Sequence, residues 1–121
     1  LVHPWWFSRT EFDNGVLAWM TTLQQWPESQ IRELAQAARE TGTAIEMNAD
    51  AIIINSYYGP AFQEDYKRVF AILLEEGATF TTASDAHDIS KVGISRLAAQ
   101  YLAEIGATDD NLLVPPPSDL R

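Results

Sequence analysis

Asp85 and His87 stand two residues apart in the stretch Thr82-Ala83-Ser84-Asp85-Ala86-His87-Asp88. A carboxylate oxygen beside an imidazole nitrogen is a pair of metal ligands, suited to borderline divalent ions such as zinc, manganese or iron. The stretch follows Ala78-Thr79-Phe80-Thr81-Thr82, an apolar, β-branched run that predicts a buried strand. Just past a strand the backbone is expected to stay nearly extended, sending Asp85 and His87 to the same side. The competing reading is a polar strand-to-helix loop in which Ser84 or Asp88 caps the next helix. Asp-x-His by itself does not choose between them.

The elements that must position this pair follow from periodicity. Leu1-Val2 reads as the end of a strand, with His3 at its C-terminal tip and Pro4 stopping further pairing. His3 is either a third ligand or a surface histidine. Residues 43–48 read as a second strand, with Ala44, Glu46 and Asn48 on one side and Ile45 and Met47 on the other. Glu46 and Asn48 then either line a polar interior beneath the site, orienting ligands or holding water, or face solvent from an edge strand. Ser84 is a further candidate for orienting ligands.

Four helices are expected. The first is capped by Asp13 or Asn14 and carries Val16, Trp19, Met20 and Leu23 at helical spacing. Trp26-Pro27 breaks it, and Pro27 opens a second helix with Ile31, Leu34, Ala35 and Ala38 on one face, ending at Gly42. The third spans 60–76 with Phe62, Tyr66, Val69, Phe70 and Leu73, and the fourth carries Ile94, Leu97, Ala98, Tyr101, Leu102 and Ile105. Gly42-Thr43-Ala44, Gly77-Ala78-Thr79 and Gly106-Ala107-Thr108 form a weak repeat, with glycines 35 and then 29 residues apart. Strand, loop, helix and glycine in turn is the rhythm of a parallel α/β fold. Residues 111–121 read as a last short strand or extended arm, then a cap or linker.

Three loops hold weaker candidates. Trp5-Trp6-Phe7 is core, a patch covered by another segment, or a stacking platform for substrate. Arg9 is a candidate for binding a substrate phosphate, which guanidinium matches with two parallel hydrogen bonds, or else a solvated loop residue. Tyr57 and Tyr58 follow the apolar turn 52–54 and are candidates for substrate contact.

Composition sets limits on all of this. The 121 residues are 46% hydrophobic with four Trp, which fits one folded domain and excludes a disordered chain. No stretch reaches the roughly 18 apolar residues of a membrane span. With no cysteine, disulfides and thiolate chemistry are excluded, so a metal would be held by His and carboxylates. A net charge of −9, with eight scattered basic residues, disfavours a nucleic-acid grip. Cytoplasm is the expected setting.

Gly77-Ala78-Thr79-Phe80 leading into Ser84-Asp85-Ala86-His87-Asp88 and Val92-Gly93 resembles the last metal-binding motif of the PHP (polymerase and histidinol phosphatase) family. Ala44-Ile45-Glu46-Met47-Asn48 resembles that family's "LEIN" strand, and Leu1-Val2-His3-Pro4 its earlier "HP" motif. The three motifs occur in order and span nearly the whole chain. The resemblance implies the C-terminal half of a distorted (β/α)7 TIM-like barrel, residues 1–121 being a single partial domain partnered by an N-terminal half. It implies two or three divalent ions in the full-length protein and metal-activated water hydrolysing a small phosphorylated substrate. Asp85 and His87 become candidate catalytic residues, with His3, Asp85 and His87 as metal ligands. Family members supply further His and Glu ligands from their first half, whereas this chain has two histidines in all. Weak metal affinity and low activity are therefore expected of it. A non-catalytic binding domain and a PHP-type nuclease are the alternatives.

Overall fold

The computed structural model describes residues 1–113. Along the chain come α1 (Arg9–Asp13), α2 (Glu28–Thr41), β1 (Ile45–Asn48), α3 (Pro60–Glu75), β2 (Phe80–Ala83) and α4 (Ser95–Glu104). A π-helical turn, Ala49–Ile53, follows β1, and 3-10 turns cover Ile89–Lys91 and Asp109–Asn111.

β1 and β2 pair in parallel, with Ile45 opposite Phe80 and Asn48 opposite Ala83. Parallel neighbours need a crossover, which α3 supplies. Each outer edge is extended by a short backbone contact. On the β1 side the Leu1 ammonium donates to the Ala44 carbonyl at 2.8 Å, and the Leu1 carbonyl accepts from Glu46 N–H at 2.9 Å. On the β2 side Phe80 bridges Leu112 in parallel, and Leu113 N–H donates to the Phe80 carbonyl at 2.7 Å. The expected tail strand is thus one bridge long at Leu112, and residues 114–121 lie outside the described residues.

The helical stripes are core. Ile31, Ala35 and Ala38 of α2 are buried, as are Phe62, Tyr66, Val69, Phe70 and Leu73 of α3. α2 packs on α3, while α4 lies against both strands. The helices stop as the repeat predicts: Gly42, Gly77 and Gly106 sit at φ +66°, +77° and +97°, where a side chain is strained. Pro27 is the N-cap of α2 rather than its first residue. All four residues of β1 are buried, so Glu46 and Asn48 do not face solvent from an edge. Among the described residues no helix is long and apolar enough to cross a membrane.

The helix expected over Val16 to Leu23 does not form. A five-residue α1 lies ahead of it instead, capped by the Ser8 hydroxyl accepting from Glu11 N–H at 3.4 Å. Gly15 at φ +71° then turns the chain, leaving Val16 and Leu17 exposed. Further on, the buried Asp65 carboxylate of α3 accepts from the Thr22 hydroxyl, from Leu23 N–H at 3.0 Å and from Gln24 Nε2 at 3.4 Å. A side chain 42 positions away thus does part of what a helix would do for this backbone.

Candidate functional site

His3, Glu46, Asp85 and His87 come together at the C-terminal end of the parallel pair. Glu46 lies within β1 and is buried, its side chain 9% exposed. Its Oε1 accepts from His3 N–H at 3.2 Å and from Asn48 Nδ2 at 3.1 Å, and lies 3.6 Å from His3 Nε2. Asn48 is fully buried; its Oδ1 accepts from Ala51 N–H at 2.8 Å, fixing the turn after β1. The Asn48 N–H donates to the Tyr66 hydroxyl at 3.3 Å. Burial, chiefly, pushes that phenol well above its ordinary range, with the Glu46 charge adding to the rise. Tyr66 is therefore a neutral hydrogen-bonding post under the site.

Asp85 lies two residues beyond β2 and is the junction of the cluster. Its Oδ1 is 3.5 Å from His87 Nε2 and 3.8 Å from His3 Nε2. The backbone there is not extended, as the sequence led us to expect: Asp85 has φ +51°. Among described non-glycine residues only His3, Trp5 and Asp85 have positive φ. Strained backbone of this kind persists only where the surroundings over-determine it, and it concentrates at functional sites. The His87 side chain is 85% exposed, while those of His3 and Asp85 are about one-third exposed. Ser84 is half-buried between β2 and Asp85.

The capping role falls to another residue. Asp88 accepts from Ser90 N–H at 2.7 Å and starts the turn Ile89–Lys91. Hydrogen bonds from the Ser90 hydroxyl and N–H hold its carboxyl below the usual range. Asp88 thus caps, and Asp85 faces the histidines.

Arg9 contacts none of these four residues. Its Nε is 2.9 Å from Asp13 Oδ1, and its guanidinium lies over the rings of Phe12, Trp19 and Tyr57. Tyr58 is 3% exposed and stacked between Trp19 and Phe62, which makes it core. Tyr57 is exposed but covered on one face by Arg9.

Sequence reasoning passed over Asp50 and Lys91. Lys91 Nζ donates to both oxygens of Asp50, at 2.7 and 2.9 Å, tying the turn after β1 to the loop after β2. Their separation of 41 residues hides the pair from local patterns. Lys91→Met is expected to cost no more than about 1 kcal/mol of global stability. It should nonetheless accelerate hydrogen exchange at the amides of residues 86–91, because the loop loses its anchor.

A tetrahedral zinc ion bound at about 2.05 Å by imidazole nitrogens keeps its donors about 3.3 Å apart. The spacings around Asp85, at 3.5 and 3.8 Å, are slightly longer. Among the described residues no three such side chains converge as a formed metal set. What exists is one carboxylate within reach of two imidazoles from separate loops. That donor chemistry fits a borderline divalent ion. No protein-family model, curated protein or solved structure matches this chain.

Proposed function

We propose that this chain carries part of a divalent-metal phosphoesterase centre, built on a (β/α)7-type half barrel and acting on a small phosphate ester. The observation that carries the reading is one carboxylate oxygen, Asp85 Oδ1, within 3.8 Å of both His3 Nε2 and His87 Nε2 at the C-terminal end of parallel strands. This is the end at which α/β barrels place their chemistry. Positive φ at two of those three residues adds to it.

His3, Asp85 and His87 would hold zinc, manganese or iron. Bound there, such an ion would lower the pKa of its bound water towards about 7 and so would supply hydroxide at neutral pH. Hydrolysis at such a site would exchange the phosphorus–alcohol bond for a bond from phosphorus to the water oxygen, the proton given up by the water ending on the departing alkoxide. Glu46 fixes the turn that carries His3 through the His3 N–H, and Asn48 holds Glu46 in place. Arg9 is a substrate contact only if its guanidinium leaves the rings it now covers. Ser84 belongs to the loop that aims Asp85. A cytoplasmic setting and a small phosphorylated substrate belong to the same proposal, and the charge of −9 weighs against a nuclease.

The second reading is a binding domain of the same architecture without turnover. The 85% exposure of the His87 side chain favours it, because among the described residues that ring has one ion-pairing neighbour, the Asp85 carboxylate at 3.5 Å.

Zinc titration of the purified chain, followed by elemental analysis, separates the two. The phosphoesterase reading expects one weakly held ion, lost in His87→Ala, and slow metal-dependent release of phosphate from 4-nitrophenyl phosphate. Failure to retain any ion from excess zinc, manganese or iron would leave the binding-domain reading.

A further inference from the structure

We propose that Phe12, Trp19 and Tyr57, with the Asp13 carboxylate, form a binding site for a quaternary ammonium cation, and that Arg9 is the plug such a cation displaces. The Arg9 Cζ lies 4.5 Å from the centre of the Tyr57 ring, 4.7 Å from that of Phe12 and 5.6 Å from that of Trp19. All three fall within the roughly 6 Å over which the negative face of a ring attracts a cation. Asp13 adds a full negative charge, its Oδ1 2.9 Å from Arg9 Nε. Rings and a carboxylate gathered around one positive centre are the chemistry that recognises alkylated ammonium groups. The site shares no residue with the His3/Asp85/His87 cluster and stands without the phosphoesterase reading.

Two of its walls are anchored independently of Arg9. Trp19 Nε1 donates to the Tyr57 carbonyl at 3.1 Å, and the two rings meet edge-on at 6.2 Å. Trp19 also stacks on Tyr58, which stacks in turn on the buried Phe62. Phe12 closes against Trp19, with centroids 5.4 Å apart. Arg9, Phe12 and Asp13 occupy positions i, i+3 and i+4 of α1, which places them on one face of that turn.

The plug fits its socket incompletely. Arg9 Nε is buried, and among the described residues it finds no aligned hydrogen-bond acceptor; Asp13 is near enough for charge attraction but outside hydrogen-bond geometry. A buried donor without an acceptor is costly. A trimethylammonium group carries the same charge and has no N–H to satisfy, so it fills the rings without that cost. The Arg9 side chain is 39% exposed, so it leaves by rotating its own torsions while α1 stays in place. The net charge of −9 draws cations towards the surface as a whole.

Choline and the neutral alcohol in which a tert-butyl group replaces trimethylammonium test this, because they match in shape and differ in charge. Isothermal titration of the full chain should show choline binding and the neutral alcohol not binding. Arg9→Ala should bind choline about tenfold more tightly, because the plug no longer competes. Since α1 buries no residue, that substitution leaves the core intact, and the native chain supplies a test that does not depend on it. Tyr57→Leu should abolish binding in either background. In the native chain, choline should also shift the nuclear magnetic resonance signal of the Trp19 indole N–H. N-acetyl-trimethyllysine amide carries the same group, and whichever of the two binds more tightly names its source, a small molecule or a methylated protein side chain. No choline binding to the native chain, equal binding of the neutral alcohol, an affinity unchanged by Arg9→Ala, or binding that survives Tyr57→Leu would each overturn the proposal.

Discussion

Asp85→Gly is expected to raise the stability of the metal-free chain by about 1 kcal/mol while weakening zinc binding by about 100-fold. The two effects have separate origins in one residue. At φ +51° the Asp85 backbone lies in the left-handed region, which glycine enters without penalty and a side-chain-bearing residue does not. Glycine also leaves a more flexible unfolded chain, which subtracts from the gain. The carboxylate lost is the one within 3.8 Å of both histidine Nε2 atoms. Without it, no carboxylate among the described residues lies within 4 Å of both His3 and His87, and neither imidazole alone holds a divalent ion firmly. Thermal melts in chelator and zinc titration, run on the same two proteins, read the two effects independently. A destabilised Asp85→Gly chain would mean that the carboxylate serves the fold, and the site reading would fail with it.

How far the sequence discloses this arrangement depends on whether the deciding contact is local. α2, α3 and α4 are legible because their buried stripes recur at helical spacing and their glycine stops lie next to them. β1 is legible from the alternation of Ile45 and Met47 with Glu46 and Asn48, and β2 as a short apolar, β-branched run before a turn. The 14–26 stretch is not. Val16, Trp19, Met20 and Leu23 keep helical spacing, yet Val16 N–H donates back to the Glu11 carbonyl, Leu23 N–H donates to Asp65 of α3, and Trp19 stacks on Tyr58 rather than lying along a helix face. Gly15 and the β-branched pair Thr21-Thr22 weaken a helix that had no local reason to persist. The site divides along the same line. Asp85, His87 and His3 announce themselves by residue type, and the capping oxygen of Asp88 by its place before a turn. The turn that buries Trp5 and exposes Trp6, and the bridge from Asp50 to Lys91, depend on neighbours that no local window contains.

Asp65 carries the largest expected effect on stability. Asp65→Ala should cost about 3 kcal/mol in urea unfolding at pH 7, because three donors lose their acceptor and Leu23 N–H is left buried without one. Burial by itself raises the pKa of this carboxyl. Hydrogen bonds from Thr22, Leu23 and Gln24, with the charge of Arg68, outweigh burial and bring it below its ordinary value of 3.8. A carboxyl depressed in the folded state contributes its stability in full above its unfolded pKa, and loses it as pH falls through the folded value. The gap between native and Asp65→Ala chains should therefore be constant from pH 7 to about pH 5, then narrow below about pH 4. Asp65→Asn keeps one oxygen for Leu23 N–H and should cost less than Asp65→Ala. Trp19 packs on Tyr58 in the stretch that Asp65 secures, so Trp19 fluorescence should report that stretch loosening before the circular dichroism of α3 declines. Simultaneous loss of both signals at low pH would show that Asp65 holds the fold as a whole rather than the 14–26 segment alone.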